Sequence, residues 1–362
     1  MRDRNFIAPR PRQTPLSKMN FKFEAPAGPD EIRLFSEEFC KYAGVKYAYP
    51  VSSYSEAILL AIYALSIPGG SSIAMSAYNF PEVAGAVELS GCRPVFVDID
   101  IHSFTMNMSH FELMLSNNVR AVLASHMFGS PCSIDAVMEA ASIYKLFVIE
   151  EVGSSLGCVY KGVKCGNFGH ISLFNFDQSS LINCGVGGMI ATSNEKVNAR
   201  LKILMNRGYD AVTGELKIPA PDFSMPPEVA RIARENLKYI DDILDYKYAI
   251  AKTYKKELSA DHDISIPEPG PFALHTFNYF AAYCKIRETG QKLMKIVAKH
   301  APPNRKIPVF LPGAQYYKTR YSLASDSYRN AALAADGTVF MPNDLTLPLD
   351  RADEIARDIK GL

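Results

Sequence analysis

The sequence lacks the features that mark membrane, secreted and nucleic-acid-binding proteins. No run approaches the roughly 20 apolar residues that a helix needs to cross a bilayer. The basic, proline-rich residues 1–18 contain no apolar stretch of signal-peptide length. Lys and Arg number 39 against 38 Asp and Glu, and this net charge of +1 gives no electrostatic argument for a nucleic-acid or membrane partner. We therefore expect a cytoplasmic protein.

The cysteine pattern argues against two further kinds of site. The seven cysteines are scattered along the chain, and none lies in a C-x-x-C motif. An odd number without metal-ligand spacing favours neither a disulfide framework nor a zinc site. We expect reduced thiols and no bound metal.

A third absence concerns lysine. Residues 174–188 read FNFDQSSLINCGVGG, a strand that ends in alternating aromatic residues and continues into a polar turn and a glycine pair. In a large class of enzymes, a segment of this shape carries one lysine that the rest of the site serves. Here no lysine lies between Lys164 and Lys196.

The chain does contain alternating helix and strand patterns. Apolar residues recur at helical spacing in residues 31–44 and 55–66, and a further helix is predicted between the strands that flank residues 127–144. Short runs rich in β-branched and aromatic residues predict strands at 93–100, 120–126, 145–151 and 170–176. This alternation predicts an α/β protein with a mostly parallel sheet, whose ligands bind beyond the carboxyl ends of the strands.

Length and periodicity predict the domain organisation. A chain of 362 residues is longer than one small core requires. Residues 227–258 carry an apolar stripe at helical spacing and predict one long joining helix. We expect an N-terminal arm (1–30), a large α/β domain with the cleft (31–235), and a linking helix with a small α+β C-terminal domain (236–362).

Several blocks resemble a known family in order and spacing. They are IPGGSSIAMSAYNF (67–80), GCRPVFVDID (91–100), SHMFGSPCSIDAV (125–137), VIEEVGSSLG (148–157) and CGVGGMIAT (184–192). Together they resemble the sugar aminotransferases of the DegT/StrS class, which aminate keto-sugar nucleotides with pyridoxal phosphate. The resemblance implies a fold type I large domain, a small C-terminal domain, and a homodimer whose sites straddle the interface.

The family's lysine motif identifies the first candidate catalytic position. Phe174 and Phe176 hold the motif's aromatic positions, and the position of the Schiff-base lysine is Ser180. A serine cannot form the imine that tethers the cofactor, and its hydroxyl is a poor proton shuttle. The resemblance therefore implies a protein that is not a conventional transaminase. His126, at a strand end, is a second candidate, as a base.

The cofactor contacts implied by the resemblance also differ from the family pattern. Glu151 stands at the position of the aspartate that pairs with the pyridinium nitrogen, and Ser154 at that of a glutamine. Asn175 replaces a phosphate-contacting serine. Phe80 retains the aromatic side chain that stacks on the cofactor ring.

The phosphate loop differs most. Tyr54, Ser55 and Glu56 replace a glycine, a threonine and a small residue, and Glu56 brings a negative charge toward a dianion. Asp222 lies in the segment that the family supplies across the dimer interface. From these substitutions we expect either no cofactor or weakly bound pyridoxal or pyridoxamine phosphate.

Three functions stay open at this point. The chain is a non-transaminating member that binds a sugar nucleotide; or an enzyme with an untethered cofactor, resembling either the keto-sugar dehydratases or the aminotransferases; or a non-catalytic partner that forms a heterodimer with an active paralogue. All three belong to sugar-nucleotide, polysaccharide or related biosynthesis.

Overall fold

The computed structural model describes residues 28, 30–270, 272–300 and 306–360, so most of the expected N-terminal arm lies outside the described residues. The strands are β1 (Tyr47–Val51), β2 (Ser72–Ser76), β3 (Tyr78–Asn79), β4 (Arg93–Val97), β5 (Val119–Ser125), β6 (Phe147–Glu151), β7 (Val159–Tyr160), β8 (Val163–Lys164), β9 (Ile171–Asn175), β10 (Gly188–Thr192), β11 (Ile264–Ser265), β12 (Ala273–Leu274), β13 (Phe280–Cys284), β14 (Val309–Phe310) and β15 (Thr338–Met341). The helices are α1 (Asp30–Ala43), α2 (Tyr54–Ala64), α3 (Pro81–Leu89), α4 (Met108–Met114), α5 (Ile134–Tyr144), α6 (Glu195–Met205), α7 (Pro227–Leu237), α8 (Ile240–Leu258), α9 (Arg287–His300), α10 (Gln315–Tyr321), α11 (Arg329–Gly337) and α12 (Leu349–Ile359). None of the described helices combines the length and apolar character needed to cross a bilayer.

The central sheet has seven strands in the order β1-β10-β9-β6-β5-β2-β4. Strands β4, β2, β5, β6 and β9 pair in parallel, whereas β10 runs antiparallel to both of its neighbours. Helices α2, α3 and α6 pack on one face, and α1, α4, α5 and α7 cover the other. The predicted mostly parallel sheet is thus present, with its carboxyl ends gathered at one edge.

A second hydrophobic core lies in the C-terminal part of the chain. It joins the antiparallel sheet β11-β13-β15 to helices α8, α9 and α12. The single long helix predicted over residues 227–258 is instead two helices, broken at Lys238 and Tyr239. The chain turns there because α7 packs on α1, which covers the large sheet, whereas α8 packs on α12 of the C-terminal core.

Glu150, on β6, fixes the loop that follows β8. Its carboxylate accepts hydrogen bonds from the backbone amides of Gly166 at 2.7 Å, Phe168 at 2.7 Å and Gly169 at 2.6 Å, and contacts Nε2 of His126 at 3.1 Å. The Glu150 side chain is fully buried. It therefore ties two loops to the central strand without facing the cleft.

Replacing Glu150 tests this tie. Glu150→Ala leaves three backbone amides without their acceptor, and each such loss costs about 1–3 kcal/mol. We expect the free energy of unfolding, measured by urea denaturation, to fall by about 3 kcal/mol or more. Glu150→Gln retains one acceptor oxygen and should lose less. A loss below about 1 kcal/mol in the alanine variant would contradict this role.

Candidate active site

The structure brings five of the predicted site residues together. Tyr54, Phe80, Glu151, Ser154 and Asn175 line one cleft at the carboxyl ends of β6 and β9. As the side chains stand, the cavity between them measures about 10 Å³, which is room for about one water molecule.

Glu151 lies at the inner end of this cleft. Its side chain accepts a hydrogen bond from the Tyr54 hydroxyl at 3.0 Å, from Asn79 Nδ2 at 3.2 Å and from the Ser125 hydroxyl. All three donors are neutral, and Glu151 is 3% exposed. Burial therefore raises the pKa of the Glu151 carboxyl, although the hydrogen bonds oppose that shift.

Tyr54 takes up space in front of Glu151. It is the first residue of α2, and its ring lies against Gly153, where an added Cβ would come within 2.8 Å of the Tyr54 hydroxyl. Burial and the Glu151 carboxylate raise the pKa of Tyr54, so the phenol remains a proton donor at neutral pH. A large side chain on α2 and a glycine after β6 thus fit each other.

Glu56 belongs to the cap of α2. Ser53 is the N-cap residue, and its hydroxyl accepts the Glu56 amide at 3.2 Å, while the Glu56 carboxylate accepts from the Ser52 hydroxyl. Ser53-Tyr54-Ser55-Glu56 has the spacing of a capping box, in which the fourth residue completes the first turn. The glutamate expected to face a bound phosphate thus contacts the residue next to the N-cap, and Ser55 lies beside it in the same turn.

Ser180 lies in a hydrogen-bonded turn after β9. The Asp177 carboxylate accepts the Ser179 amide at 2.8 Å, the Ser179 hydroxyl at 2.6 Å and the Ser180 hydroxyl at 3.4 Å. Asn175 Oδ1 in turn accepts the Asp177 amide at 3.1 Å. Ser179 lines the cleft, and Ser180 follows it in the half-buried part of the turn.

His126 does not line this cleft, because its ring is buried behind β6. Its Nδ1 accepts the Cys132 amide at 3.1 Å, so this nitrogen carries no proton and Nε2 donates to Glu150. Cys158 and Cys165 lie near the ring, and ligand atoms of the three side chains are within 4.8 Å of one another. Both ring nitrogens are nevertheless already bonded to protein groups.

Sequence reasoning missed several residues of the cleft. Asn79 binds Glu151, Gly153 makes room for Tyr54, and Glu82 and Lys306 lie at its outer end. Asn79 is next to Phe80 and Gly153 is next to Ser154, both of them predicted positions. Their place at the ends of predicted strands was therefore the signal that could have identified them. Lys306 lies in the C-terminal part of the chain, and no local pattern connects it with the cleft.

The raised pKa of Glu151 predicts how stability depends on pH. A carboxyl whose pKa is higher in the folded than in the unfolded protein stabilises the fold at low pH, and loses this contribution as pH rises through the folded-state pKa. Glu151→Gln cannot titrate. We therefore expect its melting temperature to rise relative to the wild type between pH 5 and pH 8.

The exposed substitution Glu139→Gln provides the baseline for this comparison. Differential scanning fluorimetry across the pH range measures both variants. A Glu151→Gln difference that stays constant with pH, or that shrinks as pH rises, would be incompatible with a raised pKa of Glu151 in the folded protein.

Comparisons with known proteins agree with this architecture. The model of the DegT/DnrJ/EryC1/StrS aminotransferase family matches residues 25–360. GDP-perosamine synthase of Escherichia coli O157:H7 is 29% identical over 283 residues, which is 78% of this chain and 76% of that protein.

Two solved structures show the same fold. DesV of S. venezuelae, in complex with a ketimine intermediate, has a TM-score of 0.85 at 23% identity, covering 93% of this chain and 90% of that chain. The E. coli GDP-4-keto-6-deoxy-D-mannose-3-dehydratase with bound hydrated PLP has a TM-score of 0.81 at 20% identity, covering 91% and 92%. These likenesses confirm the predicted fold type I architecture.

The comparisons correct one expectation. We expected no cofactor, or weakly bound pyridoxal or pyridoxamine phosphate, because the residues at the contact positions differ from the family pattern. That expectation was wrong, since related structures contain a ketimine intermediate and hydrated PLP. Substituted contacts alter how a group is held, and they do not remove the buried carboxylate of Glu151 or the ring of Phe80 from the cleft.

The family serves nucleotide-sugar and polysaccharide biosynthesis. With a family model matched over almost the whole chain, a related synthase, and two solved structures of the same fold, this chain belongs to the DegT/DnrJ/EryC1/StrS aminotransferase family.

Proposed function

We propose that this chain is a divergent member of its family, which binds a nucleotide-linked keto sugar and does not transaminate it by the lysine-dependent route. The observation that carries this proposal is Ser180 in the hydrogen-bonded turn after β9. Its hydroxyl is neutral, contacts Asp177 at 3.4 Å, and provides no amine. A neutral hydroxyl does not move a proton at the reacting carbon as an amine does.

The cleft retains residues that suit the family's cofactor. Glu151 is a buried carboxyl at the inner end, and Phe80 presents an aromatic ring beside it. When bound, pyridoxal phosphate supplies an electron sink at the reacting carbon. In this chain Glu151 would hold the ring nitrogen, Phe80 would orient the ring, and Tyr54 would have to turn away to make room.

We further propose a homodimer, with a mixed dimer with an active paralogue as the alternative. Asp222 supports a role outside the subunit's own cleft, since it lies at the surface and pairs with Arg207 at 2.8 Å. That hydrogen bond lowers the pKa of Asp222 to about 2, so the carboxylate is charged at neutral pH. Light scattering of the purified chain tests the homodimer, and a monomer would contradict it.

The proposal is tested with a nucleotide-linked 4-keto-6-deoxy sugar and glutamate as amino donor. We expect the wild type to form amino sugar at least about a hundredfold more slowly than GDP-perosamine synthase assayed beside it, because a missing acid–base group costs about 10²–10⁴ in rate. Ser180→Lys is expected to recover part of this rate, as measured by chromatography of the sugar nucleotides.

Gln178→Lys is the matched control, because it adds the same amine to an exposed residue of the same turn. Recovery in Ser180→Lys alone supports the proposal. Amination by the wild type at the rate of the synthase would overturn it.

The position of Tyr54 leads to a separate prediction about affinity. Tyr54→Ala removes both the ring and the hydrogen bond that a bound ring must displace, and that hydrogen bond is worth about 1–1.5 kcal/mol. We expect pyridoxamine phosphate to bind about tenfold more tightly to this variant in a fluorescence titration. Tyr54→Phe keeps the ring and separates the two contributions. Unchanged affinity in both variants would show that Tyr54 does not compete with the cofactor.

A further inference from the structure

One amine lies at the cleft although position 180 has none. Among the cleft-lining residues that the structure describes, Lys306 is the only lysine. Its position follows from strand pairing, since β14 begins three residues later and pairs antiparallel with β3. Val309 lies opposite Asn79 in that pair, and Asn79 donates to Glu151. The backbone of this C-terminal segment is thereby held beside the cleft.

The Lys306 side chain points to the same turn that contains Ser180. Its Nζ lies 3.0 Å from Asp177 Oδ2 and 3.6 Å from Glu82 Oε1. The other oxygen of Asp177 accepts the hydroxyls of Ser179 and Ser180. A single carboxylate therefore separates the Lys306 amine from the position at which the family carries its lysine.

The accessibility of these groups differs. The Lys306 side chain is 60% exposed, while Asp177 is 15% and Glu82 28% exposed. An ion pair with so exposed a lysine stabilises a fold little. Because its ion pairs are weak, the long Lys306 side chain can leave the Asp177 and Glu82 carboxylates and contact a ligand that enters the cleft.

We propose that Lys306 is the tethering amine of this site, reaching the cofactor from the C-terminal part of the chain in place of a lysine at position 180. The Nζ would attack the aldehyde carbon of pyridoxal phosphate. The carbonyl oxygen would leave as one water molecule while a C=N bond forms, so no oxidant or reductant takes part. This assignment rests on the proposed function, because it supplies the tether and leaves proton transfer at the reacting carbon without a lysine.

The charge state of Lys306 has to change before this step. Partial burial opposes the charged form, but the hydrogen bond to Asp177 and the charges of Asp177 and Glu82 raise the pKa of Lys306. At neutral pH the group is an ammonium, which must lose a proton before it attacks. Burial opposes the shift, but the hydrogen bonds of Ser179 and Lys306 lower the pKa of the Asp177 carboxyl, so this pair favours the ammonium. Because the Lys306 side chain is 60% exposed, the proton would leave to solvent once a ligand has displaced the pair.

The test traps the C=N bond and needs no turnover. The full-length protein is incubated with pyridoxal phosphate, reduced with sodium borohydride and digested, and modified peptides are mapped by mass spectrometry. Lys161, in the turn between β7 and β8, is an internal reference, since it is similarly exposed and forms an ion pair with Asp135. We expect occupancy about tenfold higher at Lys306 than at Lys161, because a bound aldehyde has a high effective concentration at its neighbour.

Variants separate a specific tether from surface labelling. Lys306→Met and Lys306→Arg should both lose the adduct, whereas Lys161→Arg should keep it on Lys306. Pyridoxamine phosphate, which has no aldehyde, should compete with labelling of Lys306 and leave labelling of Lys161 unchanged. Ser180→Lys, with Lys306 replaced by Met, should carry the adduct at position 180 and show that the cleft admits the cofactor.

The results that would overturn the proposal are equally specific. Equal labelling of Lys306 and Lys161, labelling of Lys306 that pyridoxamine phosphate does not compete with, or no labelling of the wild type would each do so. The amination assay reports independently on the proposed function. Trapping at Lys306 together with fast wild-type amination would contradict the proposed function and support Lys306 as the tether. No trapping at Lys306 together with slow wild-type amination would contradict the tether and leave the proposed function standing.

Discussion

The two adjacent glutamates at the end of β6 are the constraint on which the rest of the site depends. Successive side chains of a strand point to opposite faces of the sheet, so Glu150 and Glu151 cannot serve the same side. Glu150 is bonded by the amides of the loop after β8 and by His126, and it holds those elements against the sheet. Glu151 is left to face the cleft. A shift of one residue in the register of β6 would exchange the two roles and lose both.

The side chains around Glu151 form one connected arrangement. The Tyr54 ring occupies space that exists because residue 153 is a glycine, and its hydroxyl meets a carboxyl whose pKa is raised by burial. Across the cleft, Lys306 and Asp177 are paired beside the turn of Ser180. A substitution at one of these positions therefore changes the contacts of the others. This coupling explains how several departures from the family pattern coexist in an intact fold.

The sequence predicted most of the fold and several residues of the candidate cleft. Strand and helix periodicities were sufficient for the parallel sheet, and the resemblance brought Tyr54, Phe80 and Glu151 to one cleft. The break at Lys238 could not be predicted, because no glycine or proline marks it and two separate packing surfaces cause it. The place of Lys306 at the cleft could not be predicted for a related reason, since the β14–β3 pairing that brings it there joins residues more than 200 positions apart. Such contacts leave no local pattern.

The cap of α2 bears on the state of the helix before a cofactor binds. Where a bound anion completes the first turn of a helix, the amides of that turn gain this partner only when the anion binds. Here Ser53 completes the turn from within the chain, with Glu56 as its fourth residue. The first turn of α2 is therefore capped without a bound anion, and the helix is buried when β9, β10 and α6, which lie later in the chain, pack on it. A cofactor thus meets a helix whose first turn is already closed.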